Sequence, residues 1–295
     1  MADILDSAII RRMIGREFAA LRQKAGLTLE QVAQKVEKGR GTIARIEEGA
    51  EAVRFKTLEV KGLLDLYEAE DEVRERILQL TAETRNNRRE FYYHDYTETV
   101  LPEWMKLFYT LENTAEVIRR YESELVPGLL QTRRYAQQMM TTPRGFATEE
   151  QAELRVQLRL DRQSVLTKKS QPPKYEVVLN EAVLSRKIGG DEVMVEQINH
   201  LLQMSKKSNI SLRVLPFSAG LHAGAVASAF SLMDFPEEVG EPPLAFVDIF
   251  TGAIYLYGAE QLSAYRLLWE NLTEKTLTEE ETRDFLQETL KGLLN

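Results

Sequence analysis

The sequence predicts two domains of different class: an all-α N-terminal domain of five helices, then an α+β domain with a largely antiparallel sheet. Apolar residues recur at helical spacing through residues 1–84, whereas residues 83–90 are rich in charge and nearly devoid of apolar side chains. Beyond residue 101, short alternating segments bounded by turn residues indicate strands among further helices. We therefore place one domain at residues 1–84, a linker with an aromatic segment at 85–101, and the second domain at 102–295.

Composition bounds the class of protein. The chain has 295 residues, 43% of them hydrophobic and 28% charged, which is ordinary for globular domains and long enough for two. It has no cysteine, which excludes disulfides, zinc fingers and thiol catalysis. No run approaches the ~20 apolar residues that span a bilayer, and the N-terminal residues include acids instead of a sustained apolar segment. We expect a cytoplasmic protein with no membrane partner.

The first helix is predicted at Ile9–Ala25, with Gly26 as its C-terminal stop. Its apolar stripe comprises Ile10, Met13, Ile14, Phe18 and Leu21. A second helix should begin at Leu29, because Thr28 occupies the N-cap and Gln31 the third helical position, as in a capping box. Its apolar face comprises Leu29, Val32, Ala33 and Val36.

The third helix is predicted at Arg40–Glu48, with Gly39 as its N-cap. Ile43 and Ile46 share its inward face, so a polar and partly basic face remains free. That face carries five residues: Arg40, Gly41, Thr42, Ala44 and Arg45. Such a helix fits the major groove of B-DNA, where arginine donates two hydrogen bonds to guanine. The same spacing also fits an ordinary helical hairpin whose arginines are only solvated.

The run A-x-x-V-x-x-G-R-G-T-I-A-R-I-E-x-G, from Ala33 to Gly49, resembles the helix-turn-helix of Xre/Cro-type repressors. The resemblance implies a structural ion pair between Arg22 and Glu47. Leu29 departs from the pattern, because many of these repressors have a phosphate-contacting glutamine there, and Glu37-Lys38 replaces a small-apolar turn pair. We take as candidate DNA-binding residues Thr28, Gln31, Lys38, Gly39, Arg40, Gly41, Thr42, Ala44 and Arg45.

The net charge of -8 argues against a polyanionic partner, but its distribution along the chain does not. Residues 1–62 hold about 12 Lys and Arg against about 9 Asp and Glu, so the surplus of acid lies downstream. So modest a basic patch makes few phosphate contacts, and a single copy should bind double-stranded DNA weakly. We therefore expect a homodimer that contacts two half-sites about one helical turn (~34 Å) apart.

Two more helices, Arg54–Leu66 and Asp71–Thr84, complete the first domain. The arginines of the linker either reach phosphates or are simply solvated. The aromatic cluster Phe91–Tyr96 either packs a seam between domains or binds the ring of a ligand. In and near this cluster, the candidate ligand- or partner-binding residues are Tyr92, His94 and Trp104.

The second domain mixes strand and helix patterns. Six segments have strand patterns: Ala115–Tyr121, YEVVLNEAVL, ISLRVLPF, SAFSLMDF, PLAFVDIF and AIYLYG. In YEVVLNEAVL the strand runs into the start of a helix. Five have helical periodicity: Thr132–Met140, Thr148–Thr167, Asp191–Ser205, Ala259–Leu272 and Thr278–Leu293. The last three strands lie close enough in sequence to form an antiparallel meander.

The sequence contains no recognisable catalytic pattern. The three histidines lie far apart without metal-ligand spacing, and neither a G-x-S-x-G elbow nor a P-loop occurs. We therefore expect no enzyme activity, no metal and no cofactor. The loop Ser218–Gly224 combines small residues with His222, and it is either a binding loop or a connector. His222 and Asp248 are further candidate ligand- or partner-binding residues, although Asp248 also fits a structural role in a tight strand connection.

Five motifs in order are similar to the C-terminal domain of actinobacterial Xre-type regulators, among them WhiJ-like and antitoxin-like proteins. The motifs are EFYYHDYTETVLPEW, YESELVPGLLQTRRYA, LNEAVLSRKIGG, ISLRVLPFSAGLHAG and TGAIYLYGAE. With the N-terminal match, the resemblance covers nearly the whole chain. It implies a transcriptional regulator, often encoded beside a small partner protein, and it implies no chemistry for the second domain.

The leading hypothesis is a sequence-specific DNA-binding transcriptional regulator. Its second domain would receive a signal from a small protein partner encoded nearby or from a small-molecule ligand. One alternative is an antitoxin-like protein whose main role is to bind a small partner protein. Another is an enzyme with an appended DNA-binding domain and a site near His222 and Asp248.

Overall fold

The computed structural model describes residues 7–50, 52–86, 96–97, 100–141, 148–168, 171–250 and 252–294. The chain divides into two compact units. The first comprises Met1–Phe91 together with the short segment Glu237–Glu241, and the second comprises Tyr92–Pro236 and Pro242–Asn295. In the described part of the chain, the helices lack the combination of length and hydrophobicity that a membrane-spanning helix needs.

The described residues of the first unit form five helices, as the sequence predicts. They are α1 (Ser7–Lys24), α2 (Leu29–Lys35), α3 (Arg40–Glu48), α4 (Thr57–Leu66) and α5 (Asp71–Asn86). Helix α5 continues two residues into the predicted linker. Residues 87–95 of that linker lie outside the described residues.

One apolar core holds these five helices together. It buries Ile10, Ile14, Phe18 and Leu21 of α1, Val32 and Ala33 of α2, Ile43 and Ile46 of α3, Val60, Leu63 and Leu64 of α4, and Ile77 of α5. Met13, which the sequence also assigns to the apolar stripe of α1, is only partly buried. The spacing of apolar side chains in α1 thus predicts most of its buried face, but it omits Ile9, which is fully buried.

The second unit contains both helices and strands. Its described α-helices are α6 (Glu103–Thr114), α7 (Arg133–Thr141), α8 (Glu149–Arg162), α9 (Ala182–Ser185), α10 (Asp191–Met204), α11 (Ala259–Glu274) and α12 (Glu279–Leu294). Its described strands are β1 (Val117–Glu122), β2 (Lys174–Asn180), β3 (Ile210–Leu215), β4 (Phe230–Asp234), β5 (Leu244–Ile249) and β6 (Gly252–Leu256). Each predicted strand and helix has a counterpart here, while α6 has none among the predicted elements.

The six strands form one mixed sheet in the order β3-β2-β1-β4-β5-β6. Strands β1, β2 and β3 are parallel, whereas β4 pairs antiparallel with β1 and continues into the antiparallel β5 and β6. The predicted meander is therefore confirmed, but the prediction of a largely antiparallel sheet is wrong for β1–β3. Long connections that contain α7, α8 and α10 join these three strands, and such crossovers permit parallel pairing.

Alternate residues of the strands point to opposite faces of the sheet. One face carries Tyr121, Phe230 and Val247 in a single row across three strands. These side chains form a buried cluster with Trp269 and Leu272 of α11. Helix α11 therefore covers this face of the sheet.

The opposite face buries charge as well as apolar groups. Arg120 bonds to Glu122 at 2.6 Å along β1, and burial raises the pKa of Glu122 despite this neighbour. Arg162 of α8 bonds to Glu112 of α6 at 2.5 Å, and its guanidinium lies 4.6 Å from the ring centroid of Tyr109. These contacts tie α8 to α6, so charge pairing adds to the apolar packing of this layer.

Candidate nucleic-acid interface

One local backbone motif begins α2, and a second ends it and leads into α3. Thr28 and Gln31 form the predicted capping box: the Thr28 N–H donates to Gln31 Oε1 at 2.8 Å, and the Gln31 N–H donates to Thr28 Oγ1 at 3.2 Å. At the other end of α2, the Lys38 N–H donates to the Ala33 carbonyl at 2.9 Å. This bond spans Glu37, whose φ of +53° is a left-handed value that usually belongs to glycine. The turn that directs α3 thus carries a strained residue.

Helix α3 presents one polar face. Ile43 and Ile46 are only 1% and 6% exposed, and they fix the inward face of the helix. Three of the predicted DNA-binding residues of α3 are exposed, namely Arg40, Gly41 and Arg45. The other two, Thr42 and Ala44, are half-buried. A Cβ added at Gly41 would meet no described atom within 4 Å, so a partner has room to approach the helix backbone there.

Close backbone packing supports α3 from behind. A Cβ added at Gly15 of α1 would lie 2.5 Å from the Glu47 carbonyl oxygen, so a larger residue does not fit. Gly49 ends α3 with φ of +66°, and a Cβ there would lie 2.6 Å from the Arg11 carbonyl oxygen. The backbones of α1 and of the C-terminal end of α3 are therefore in direct contact.

An ion pair adds to this support. Arg22 Nε donates to Glu47 Oε1 at 2.6 Å and Arg22 Nη2 donates to Glu47 Oε2 at 2.9 Å, while Nη1 donates to the Leu27 carbonyl at 2.8 Å. Hydrogen bonding to Glu47 raises the pKa of Arg22, so the guanidinium stays charged. The ion pair that the resemblance implies is thus confirmed. Arg22 has a structural role in the first unit.

The arginines of α3 are available to a partner. Among the described residues, no salt bridge engages Arg40 or Arg45. Arg45 Nε donates to the Gly41 carbonyl at 3.2 Å, which leaves its two terminal nitrogens as donors. The first turn of α3, after the N-cap Gly39, contains no acidic residue. The positive end of the helix dipole is therefore open to a phosphate.

Lys38, one of the candidate DNA-binding residues, has a partner inside the first unit. Lys38 Nζ lies 3.3 Å from Glu59 Oε1 of α4, and Lys56 Nζ lies 3.7 Å from the same oxygen. Contact with a phosphate would require Lys38 to leave or share this carboxylate. The sequence does not single out Lys56 or Glu59, because their proximity to Lys38 depends on how α4 packs and leaves no local pattern.

The comparisons with known proteins match both parts of the chain. Residues 14–77 match the model of a family described as a helix-turn-helix domain, and residues 105–288 match that of a domain of unknown function, DUF5753. The second match covers more than half of the sequence. The chain belongs to the DUF5753 family. The helix-turn-helix match indicates DNA binding and transcription regulation. The searches of curated proteins and of solved structures find no match.

Of the candidates in and near the aromatic cluster, Trp104 is the one in the described part of the chain, and it lies one residue before the DUF5753 match. Tyr92 and His94 lie outside the described residues. Trp104 lies near the start of α6, where its backbone carbonyl accepts a 2.6 Å hydrogen bond from the hydroxyl of Tyr255. Its side chain is half-buried. The role of these three residues stays a prediction.

His222 lies in a loop of the DUF5753 domain that is fastened to α11. The Ala223 N–H donates to Asn271 Oδ1 at 3.1 Å, and Lys275 Nζ donates to the Leu221 carbonyl at 2.6 Å. Burial and the nearby Lys275 charge lower the pKa of His222, so its imidazole is neutral at pH 7. Its Nδ1 is buried without a hydrogen-bond partner in the described part of the chain.

Asp248 lies in β5, away from the α11 side of the sheet. It follows Val247, whose side chain joins the cluster that α11 covers, so Asp248 points to the opposite face. Its Oδ1 is buried and finds no hydrogen-bond partner among the described atoms. The structure therefore places His222 and Asp248 on different sides of the sheet. Within the described ranges, no group of three His, Asp or Glu side chains is arranged to hold a metal ion.

Proposed function

We propose that the protein is a sequence-specific DNA-binding transcriptional regulator. The observation that carries the proposal is the division of α3 into a face buried through Ile43 and Ile46 and an exposed face with Arg40, Gly41 and Arg45. A helix of this kind fits the major groove, where an arginine that donates two hydrogen bonds to guanine selects the base. We refer to α3 as the recognition helix and to its DNA site as the operator.

The residues around the recognition helix suit contacts to the DNA backbone, which fix its register in the groove. Gly39 leaves the first amides of the helix open to a phosphate. Gln31 uses its carbonyl oxygen in the capping box, yet its side-chain N–H groups remain donors. Lys38 supplies a cation once it leaves Glu59. Such contacts give affinity, and the base contacts of the recognition helix give specificity.

We propose a homodimer as the DNA-binding form. The modest surplus of cations in residues 1–62 supports this, because one copy has few phosphates within its reach. Two copies contact two half-sites about one turn of DNA apart and add their contacts.

In this proposal the DUF5753 domain receives a signal from a small protein partner or a small-molecule ligand, and it has no catalytic role. The separation of His222 from Asp248 supports the second point, since an enzyme site near both would need them to converge. A signal changes operator affinity only through its differential affinity for two arrangements of the protein. A typical coupling of ~1 to 3 kcal/mol changes operator affinity about 5- to 150-fold.

Capture of sheared genomic DNA from the source organism by the purified full-length protein, followed by sequencing, tests the proposal. We expect a few enriched sites with paired half-sites, and loss of the enrichment when Arg40 and Arg45 are both replaced by alanine. The control is Arg76→Ala, which removes the same kind of charge from α5, where Arg76 bonds to Glu17 of α1. Fragments recovered in proportion to their abundance, or equal enrichment by all three proteins, would contradict the assignment.

A further inference from the structure

The first unit contains five residues that are remote in sequence from its helices, Glu237–Glu241. The side chain of Glu241 has no solvent exposure. Arg12 of α1 donates to its Oε1 from Nη2 at 3.0 Å and from Nε at 3.2 Å, and Arg16 Nη1 donates to its Oε2 at 2.7 Å. Burial of a carboxylate is costly unless the group is paired and hydrogen-bonded, and here two guanidinium groups satisfy both oxygens. Glu241 thus fixes the segment to α1.

Backbone and apolar contacts accompany the ion pairs. Arg16 Nη2 also donates to the Gly240 carbonyl at 2.7 Å. Gly240 has φ of +64°, and a Cβ there would lie 3.2 Å from Met13 Cε. Val239 is only 7% exposed. The segment therefore covers Met13, the residue of the apolar stripe that the core of the five helices leaves partly buried.

The turn of α1 that holds Glu241 is also the turn that touches the recognition helix. Gly15 lies between the two arginines in sequence, and it is the residue that contacts the Glu47 carbonyl. A Cβ at Gly49 would lie 2.6 Å from the backbone nitrogen of Arg12. Because these backbones have no space between them, a shift of α1 at this turn displaces the end of α3.

We propose that Glu237–Glu241 is a positioning segment for the recognition helix. Glu241 fixes α1 through Arg12 and Arg16, and α1 in turn fixes the orientation of α3. In the sequence, this segment lies within the connection from β4 to β5 of the DUF5753 domain. A signal that changes the conformation of the connection therefore changes operator affinity. The inference rests on the proposed function, because it concerns the regulation of the same DNA-binding face.

Glu241→Gln in the full-length protein tests this role, with Glu238→Gln as the matched control. Glu238 is an exposed neighbour, and its substitution removes the same charge. Long-range electrostatics alone predict slightly tighter DNA binding for both variants, because each loses a negative charge. The positioning role predicts the opposite sign for Glu241→Gln: operator affinity falls about 5- to 50-fold at a temperature where circular dichroism shows a folded protein. Glu238→Gln should bind at least as tightly as the wild type.

Amide hydrogen exchange tests the same role without DNA. In the free protein, Glu241→Gln should accelerate exchange in the last turn of α3 relative to the wild type and Glu238→Gln, and it should leave the sheet of the DUF5753 domain unchanged. Arg16→Lys keeps the charge and removes the paired contacts with Glu241 and Gly240, so it provides a milder variant with the same expected direction if Glu241→Gln does not fold.

Two results would overturn the positioning role: unchanged exchange in α3 in these variants, or operator binding by Glu241→Gln as tight as that by Glu238→Gln. Failure of the proposed function looks different. In that case the wild type itself binds no specific DNA, while the exchange experiment still decides whether Glu241 orients α3.

Discussion

At the residue scale, substitution of the exposed side chains of the recognition helix should weaken DNA binding without lowering the stability of the protein. Arg40→Ala, Thr42→Ala and Arg45→Ala should each weaken specific DNA binding by about 1 to 3 kcal/mol, the worth of a good base contact. The melting temperature should stay the same, because neither arginine is buried and the threonine is only half-buried. Mobility shifts on the operator and thermal melts measure the two effects. Wild-type binding by all three variants would show that α3 does not contact the bases.

Arg22 should show the reverse pattern. Its side chain is 14% exposed and that of Glu47 is 10% exposed, so Arg22→Ala leaves a buried carboxylate without its partner. We expect the free energy of unfolding to fall by about 3 kcal/mol in urea or thermal denaturation. The control is Lys24→Ala, because Lys24 and Glu70 form an exposed pair that should contribute nothing measurable. Equal losses in the two variants would rule out a special role for the buried pair.

Tyr67 should make the stability of the first unit sensitive to alkaline pH. Burial, with a smaller effect of the Glu47 charge, raises the pKa of Tyr67 to about 12. Since tyrosine in an unfolded chain ionises near pH ~10, the stabilisation is complete below that pH and is lost as the pH rises towards 12. The full loss is about 3 kcal/mol, and Tyr67→Phe should lack it. Unfolding free energies at pH ~9 and ~11.5 test this, and equal losses in both proteins would show that Tyr67 ionises normally.

At the element scale, two helices of the first unit are followed by glutamates whose backbone has a left-handed conformation. Glu37 follows α2 with φ of +53°, and Glu68 follows α4 with φ of +52°. Glycine adopts this conformation without the steric cost of a Cβ, although it loses more entropy on folding. Glu37→Gly and Glu68→Gly should therefore each raise the free energy of unfolding by about 0.5 to 1 kcal/mol. Chemical denaturation measures the change.

Gln34→Gly provides the matched control for these two substitutions. Gln34 is an exposed residue within α2, where glycine is unfavourable by about 1 kcal/mol. Stabilisation at the helix ends together with destabilisation inside the helix would attribute the effect to backbone conformation. A loss of stability in Glu37→Gly would instead show that the glutamate side chain contributes more than its backbone costs.

The elements themselves differ in how far the sequence predicts them. The start of α2 is predictable because the capping box of Thr28 and Gln31 is a local arrangement, and the meander β4–β6 is predictable because its strands follow one another without an intervening α-helix. The parallel pairing of β1–β3 is not predictable from the sequence, because it joins strands that are distant in sequence and connected through helices. Local spacing carries no information about that order.

At the scale of the whole molecule, the sequence predicts the exposed face of the candidate interface. It predicts only part of the contacts that hold this face in position. The exposed face of α3 follows from the spacing of Ile43 and Ile46. The partner of Lys38 lies 21 residues away on α4, and the partner of Arg12 lies 229 residues away. Glu241 belongs to an acidic stretch, EEVGE, in which nothing in the sequence distinguishes the buried carboxylate from the exposed ones. Tertiary packing alone reveals it.

The salt dependence of operator binding should show how many copies of the protein bind the DNA. Each phosphate contact adds about 0.9 to the slope of log affinity against log salt concentration on duplex DNA. If Lys38 contacts one phosphate per copy, Lys38→Ala should reduce the slope by about 1.8 for a homodimer and by about 0.9 for a single copy. We expect the larger value, because one copy has too few cations for tight binding.

Fluorescence anisotropy with a labelled operator between about 50 and 200 mM salt measures these slopes. The control is Lys187→Ala, which removes the same charge from the DUF5753 domain, where Lys187 bonds to Asp191, and it should keep the wild-type slope. A reduction near 0.9 for Lys38→Ala would contradict the homodimer. An unchanged slope would mean that Lys38 remains with Glu59 when the protein binds DNA, and that the phosphate contacts of the turn come from Gln31 and the first amides of α3.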